Sequence, residues 1–307
     1  MYTKKTVLYS KIETTSGTDP TPTLADNAVI ACDVELSIKA DMKERSCGNS
    51  DRSAFANIRG KTSVELKFWV PLIGSGTKGT APKYGPILRA CDRLETLLAG
   101  TSVTYTPAAT SETCTIYVNI DGILHKIVGC AGDCELDLTS GEIPKLQFTV
   151  SGVYALPTDV AVTAPTFDTT IPVIVKGTTT TFGSYAAIIE KLLLKFGNAV
   201  VERTSMNAAE GILAFMIGNR NPTGTMTCEA VLRATTNADF WSYFDAGTTK
   251  ELSLVLGSVA GNIATITAPA CKLSAPKYGD RDGLRTFDVE FQMARSSGND
   301  EITITLT

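Results

Sequence analysis

The chain reads as mainly β: a duplicated β-sandwich or barrel in which each copy carries one flanking α-helix. Three observations predict it. Apolar and polar residues alternate with the period of a half-buried strand in stretch after stretch, as through Val64, Leu66, Phe68 and Val70. Compact turn signals separate these stretches, the clearest being Asp121–Gly122 between two apolar runs. The order strand, long polar loop, strand, helix and a group of strands occurs in the first half and again in the second, the mark of an internal duplication.

Residues 1–28 are rich in Thr, Pro, Asp and Ser without a sustained period, and read as an N-terminal arm or an extended edge. The first copy spans 29–154. It opens on strand 32–39, with Val34, Leu36 and Ile38 on one face, and continues into the polar stretch 40–60. That stretch has too few apolar residues to anchor itself, so a neighbouring subunit is expected to order it. Strand 62–70 leads through the glycine-rich 74–79 into the longest helix signal in the chain, 86–99. Pro86 suits a first helical turn and Gly100 supplies the stop. Leu88, Cys91, Leu94 and Leu98 form a stripe expected to lie buried against the sheet, where Leu94→Asp would unfold the domain. Strands follow at 101–106, 113–120, 123–130, 133–138 and 145–154. Residues 155–172 hold three prolines and read as a stiff interdomain linker.

The second copy spans 173–307. Its segment 190–203 matches 32–45 in outline, an apolar strand followed by charges that end in Glu-Arg. A polar break at 207–224, a strand at 225–234 and a short helix at 237–247, capped by Asn237, come next. Strands at 250–258, 262–273, 285–294 and 301–307 complete it. The pentapeptide Ala-Pro-Lys-Tyr-Gly at 81–85 and 275–279 is out of frame with this order and reads as reuse of a turn. The charged and aromatic residues of the two polar segments and their flanks are the candidate assembly residues: Lys43, Glu44, Arg45, Asp51, Arg52, Phe55, Arg59, Glu202, Arg203 and Arg220.

The 307 residues carry a net charge of −4, too mildly acidic for a protein that coats nucleic acid electrostatically. No apolar run reaches the length of about 18 residues that a membrane helix needs, and the N-terminus lacks an apolar leader core, so a soluble chain made in the cytoplasm and not inserted in a membrane is expected. Nucleotide loops, the Gly-x-Ser-x-Gly elbow and the His-Glu-x-x-His metal motif are missing. His125 has no acid partner nearby in sequence. Glu135/Asp137 and Asp288/Glu290 fit the solvated face of half-buried strands better than a pair of hydrolytic carboxylates. The eight cysteines fall mostly inside apolar stretches and read as small buried hydrophobes; Cys130 and Cys134 lack the companion ligands of a zinc site. No enzyme, cofactor or metal is expected.

The helix opening at 81–96, the stretches 100–108 and 119–154 with the Asp-Gly turn, the segment 155–167 and the region 217–232 together resemble the major tail tube proteins of long, non-contractile bacteriophage tails, in their two-domain form. The resemblance implies a tail-tube fold, inner sheets joined between neighbours, and trimeric, pseudo-hexameric rings stacked into a hollow tube of the virion tail. It also implies partners: other copies of the chain, a tape-measure protein in the lumen, tail terminator and tail-tip proteins, and double-stranded DNA in transit without specific binding. The alternative from another class is a virion or extracellular carbohydrate-binding adhesin. It calls for clustered exposed aromatics on loops, and only Trp241 and Tyr243 come near that.

Overall fold

The computed structural model describes residues 2, 4–235 and 237–307. Strands take 51% of the chain and helices 5%, which makes it mainly β. The first half runs β1 (Thr6–Ile12), α1 (Leu24–Asn27), β2 (Ala28–Val29), β3 (Cys32–Lys43), β4 (Ile58–Pro71), α2 (Gly85–Ala90), β5 (Arg93–Leu98), β6 (Ser102–Pro107), β7 (Cys114–Ile120), β8 (Ile123–Thr139) and β9 (Lys145–Tyr154). After the short β10 (Thr158–Asp159) come β11 (Thr179–Phe182), β12 (Ile189–Lys195), β13 (Asn198–Thr204), β14 (Ile212–Arg220), β15 (Thr223–Glu229) and α3 (Phe240–Asp245). The chain closes with β16 (Thr249–Leu256), β17 (Ala264–Leu273), β18 (Lys277–Arg281), β19 (Leu284–Met293) and β20 (Thr303–Leu306).

All pairings are antiparallel, as short turns between alternating strands require. The first half pairs in the order β3-β4-β9-β8-β7-β1. The second pairs in the order β12-β15-β19-β17-β16-β11. β18 lies on β19 just beyond β17, so the two act as one long strand broken at Pro276. Two pairings tie the halves together: β12 lies along the far end of β8, and β20 bridges β17 to β6. One apolar cluster crosses from Leu66, Phe148, Ile87 and Leu88 to Leu194, Phe240 and Phe291.

Several expectations change. The helix stops at Ala90. Asp92 takes a left-handed φ of 63°, and the next residues form β5 against β6. Helical spacing through Leu94 and Leu98 is overridden because Arg93, not a leucine, is the buried residue, with its guanidinium 3.7 Å from the Phe196 ring centre. Leu88 and Cys91 are fully buried as expected, but Leu94 and Leu98 are 54% and 58% exposed, so the second half of the stripe is not buried in the chain and a charge at 94 would not be trapped. Residues 6–12 are no free arm: β1 pairs along the whole of β7 and buries Leu8. The polar stretch is shorter than expected, because β3 and β4 reach Lys43 and Ile58 and leave 44–57 unpaired. The break at 207–224 contains β14, which pairs with β13. Strands 123–130 and 133–138 are one strand, bent at Gly129 (φ 60°), where a Cβ would sit 2.8 Å from that of Ala214. The turn at Asp121–Gly122 forms as expected, with both residues at positive φ.

Candidate assembly surfaces

The sheet junction inside the chain is built by two strands with matched faces. Leu192 and Leu194 of β12 lie opposite Leu138 and Leu136 of β8, and all four are nearly or fully buried. On the other face Lys195 lies 3.0 Å from Glu135, and Lys191 lies 3.6 Å from Asp137. The acidic pair of β8 thus forms the less exposed half of two cross-strand ion pairs, each worth about 0.2–1 kcal/mol. The leucines supply most of the burial and the charges supply register.

A buried polar clasp lies beside this junction. It begins at the left-handed turn Cys91–Asp92–Arg93. Arg220 Nη1 donates to Asp92 Oδ2 at 2.8 Å and to the Ala108 carbonyl at 2.7 Å, while its Nε reaches Glu301 Oε1 at 3.4 Å. Asn198 Nδ2 donates to the carbonyls of Cys91 and Gly132 at 2.9 and 3.1 Å, and its backbone N–H donates to Asp133 Oδ1 at 3.0 Å. Burial pushes the Asp133 carboxyl up. Arg93 donates to the Ile302 carbonyl at 3.2 Å but leaves Nε and Nη2 without partners, and desolvation pushes its guanidinium down to about 10. The chain can reach Asn198 only because Gly197 turns at φ 66°: a Cβ there would lie 2.2 Å from the Asn221 carbonyl oxygen.

The candidate assembly residues fall in three places. Lys43, Glu44, Arg45, Asp51, Arg52 and Phe55 are at the tip of the β3–β4 hairpin, almost all exposed. There Lys43 lies 2.6 Å from Asp41, Asp51 accepts the Ser53 N–H at 2.7 Å, and the Arg45 guanidinium stands 4.9 Å from the Phe55 ring centre. Arg59 and Glu202 meet the other hairpin's residues: Arg59 donates to both carboxylate oxygens of Glu210 at 2.9 Å, and Lys61 donates to Glu202 at 2.5 Å. Arg203 is exposed on β13. Arg220 is inside the clasp and faces Asp92 of its own chain. Sequence reasoning missed Asp92, Arg93, Asn198 and Glu301. The one signal for them is the Gly-Asn interruption in the apolar run after Phe196.

Cys130 lies opposite Cys114 in the β7–β8 register, both fully buried, and burial holds the Cys134 and Cys91 thiols well above their usual range. Among the described residues no group of three or more His, Cys, Asp or Glu is placed to hold a metal ion. Among the described residues β3 pairs only with β4 and β18 only with β19; β5, β11 and the β13–β14 hairpin likewise keep an unpaired edge.

The family described as phage tail tube protein matches residues 3–304. The chain belongs to that family. No individual curated protein matches it. A phage tail tube protein is a structural, non-enzymatic component of the virion tail, and membership implies self-assembly. For such a protein the surfaces that matter are those that meet further copies, so the long strand edges and the exposed hairpin tip are the candidate site.

Proposed function

We propose that this tail tube protein polymerises as stacked rings of three chains, pseudo-sixfold because residues 29–154, together with β1 at 6–12, and residues 173–307 are two copies of one fold. The observation that carries this reading is the matching of β3-β4-β9-β8-β7-β1 with β12-β15-β19-β17-β16-β11. A short helix follows the long hairpin in both halves. Six equivalent units in a ring of three chains need one junction within the chain and a similar one between chains. The linker 155–172 tethers the first kind, and the hairpin tip 44–57 is ordered by the neighbouring subunit or ring.

The stacked rings enclose a lumen that holds the tape-measure protein during assembly in the host cytoplasm and passes double-stranded DNA at ejection. Tail terminator and tail-tip proteins cap the two ends. A conduit for DNA should not hold phosphates, and the net charge of −4 accords with passage rather than binding. Negative-stain microscopy and mass measurement of the purified chain test the reading. Rings of three chains and tubes are expected. Monomers at every concentration, or rings of six chains, would overturn it.

A further inference from the structure

Two of the strand edges left unpaired in the chain, those of β3 and β18, are the counterparts of the two that meet in its internal junction. Leu36 is joined across the sheet to Leu66 and then Val150; Leu194 is joined to Gly224 and then Phe291. Four residues earlier on those last strands, Leu146 lies opposite Leu136, and Phe287 lies opposite Tyr278. Leu36 therefore occupies the place of Leu194, and Tyr278 the place of Leu136. Leu194 and Leu136 lie opposite each other and are fully buried. Their counterparts are not: Leu36 is half-buried at the margin of the core, and Tyr278 is 61% exposed although it packs on Phe287 and Trp241.

Resting on the tube reading, we infer that β3 of one copy adds to the free edge of β18 in the next, antiparallel, with Leu36 opposite Tyr278. The occupant is a second copy because the same chain already makes this junction once, through the equivalent strands. The register then places Ser37 opposite Lys277 and Glu35 opposite Gly279; beyond Glu35 the strand bulges at Asp33 (φ 51°), which accepts from Trp69 Nε1 of its own sheet. Glu35 sits between two cations, Lys277 and Arg281, over a position with no side chain. In the internal junction the signs run the other way, with lysines on β12 and acids on β8. Lys277 is held by Glu290 at 2.6 Å, and Arg281 by Glu190 and Glu229 at 3.0 and 3.1 Å, so the cations are positioned at the rim by acids deeper in their own sheet. Addition fills both edges, which are otherwise templates for unregulated pairing. A head-to-tail contact of this kind closes into a ring when its rotation divides a full turn, as the proposed threefold ring requires.

Cysteine pairing reads the register. In a Cys47→Ser background, which removes the exposed native thiol, Ser37→Cys and Lys277→Cys are placed in one chain and the assembled tubes are oxidised. Covalent oligomers ending at the closed ring are expected from the double variant, and monomers from either single variant. Because Lys277→Cys removes a rim charge, Ser37→Cys chains and Lys277→Cys chains are also co-assembled with excess native chain, where covalent dimers are expected. Tubes that form without covalent species in either format would overturn the β3–β18 contact and leave the tube reading standing. Failure of the native chain itself to form rings or tubes would overturn the tube reading and this contact with it.

Discussion

The β12–β8 junction is paired on both strands within the chain, whereas β3 and β18, proposed above as its counterparts, each pair on one side only. In the junction, Leu192 and Leu194 are 2% and 0% exposed. On β3, where the proposed duplication puts Val34 and Leu36 in the corresponding places, none of the twelve residues of the strand is fully buried. The difference teaches where the protein keeps its stability and where it keeps its capacity to grow. The junction is tethered, clasped by Arg220 and Asn198, and contributes to folding at any concentration. On the proposed contact the edges add stability only when a second copy arrives, so assembly should depend on concentration while folding does not.

Breaking the clasp should have the largest effect on folding. Arg220→Ala leaves Asp92 buried without its cation and should lower unfolding free energy by about 3 kcal/mol or more. Denaturant titration checks this, and a change of less than 1 kcal/mol would show that the clasp is ornamental. Leu194→Ala should come next, at about 2–4 kcal/mol from lost burial and the cavity left behind. The comparison sharpens at Leu36→Ala, which should cost about 1 kcal/mol or less in the isolated chain but sharply lower the yield of tubes. Equal destabilisation by the two leucine changes would mean that β3 is not an open edge.

Leu94→Asp should move the stability of the isolated chain by only about 0.5 kcal/mol, because the side chain is already more than half exposed. Lys39→Ala should be the smallest. Its ammonium hydrogen-bonds Glu65, holding that carboxyl below its usual range, but both groups are at the surface. The Glu65 contribution is present above the ordinary carboxylate range and is lost as pH falls through the lowered value, so any difference between native and Lys39→Ala chains should fade in acid. Unfolding midpoints at neutral and acid pH measure it.

Local patterning made much of this fold legible. Alternation marks β4, β9, β16 and β19, and the Asp121–Gly122 turn sets the β7–β8 hairpin. The tail tube family was legible too, through 81–154 and the segments after it. What escaped is non-local. Arg93 sits inside because Phe196, from the other half of the chain, offers a ring face to its guanidinium. With Arg93 inward, Leu94 and Leu98 point outward, so the period of apolar residues around 86–99 imitates a helix that Asp92 ends. The β12–β8 pairing likewise leaves no local trace beyond alternation. The loop at the hairpin tip was legible because charge without apolar anchors signals a loop, whereas Arg220 looked the same in sequence and folds into the clasp.

Amide hydrogen exchange on isolated chains and on tubes compares the two regions most directly. Amides of 189–195 and 135–139 should be slow in both states. Those of 32–43 and 277–281 that face away from β4 and β19 should exchange quickly in the isolated chain and become protected in tubes. Tubes in which both edges still exchange quickly would contradict the view that the unfinished junction is where one chain joins the next.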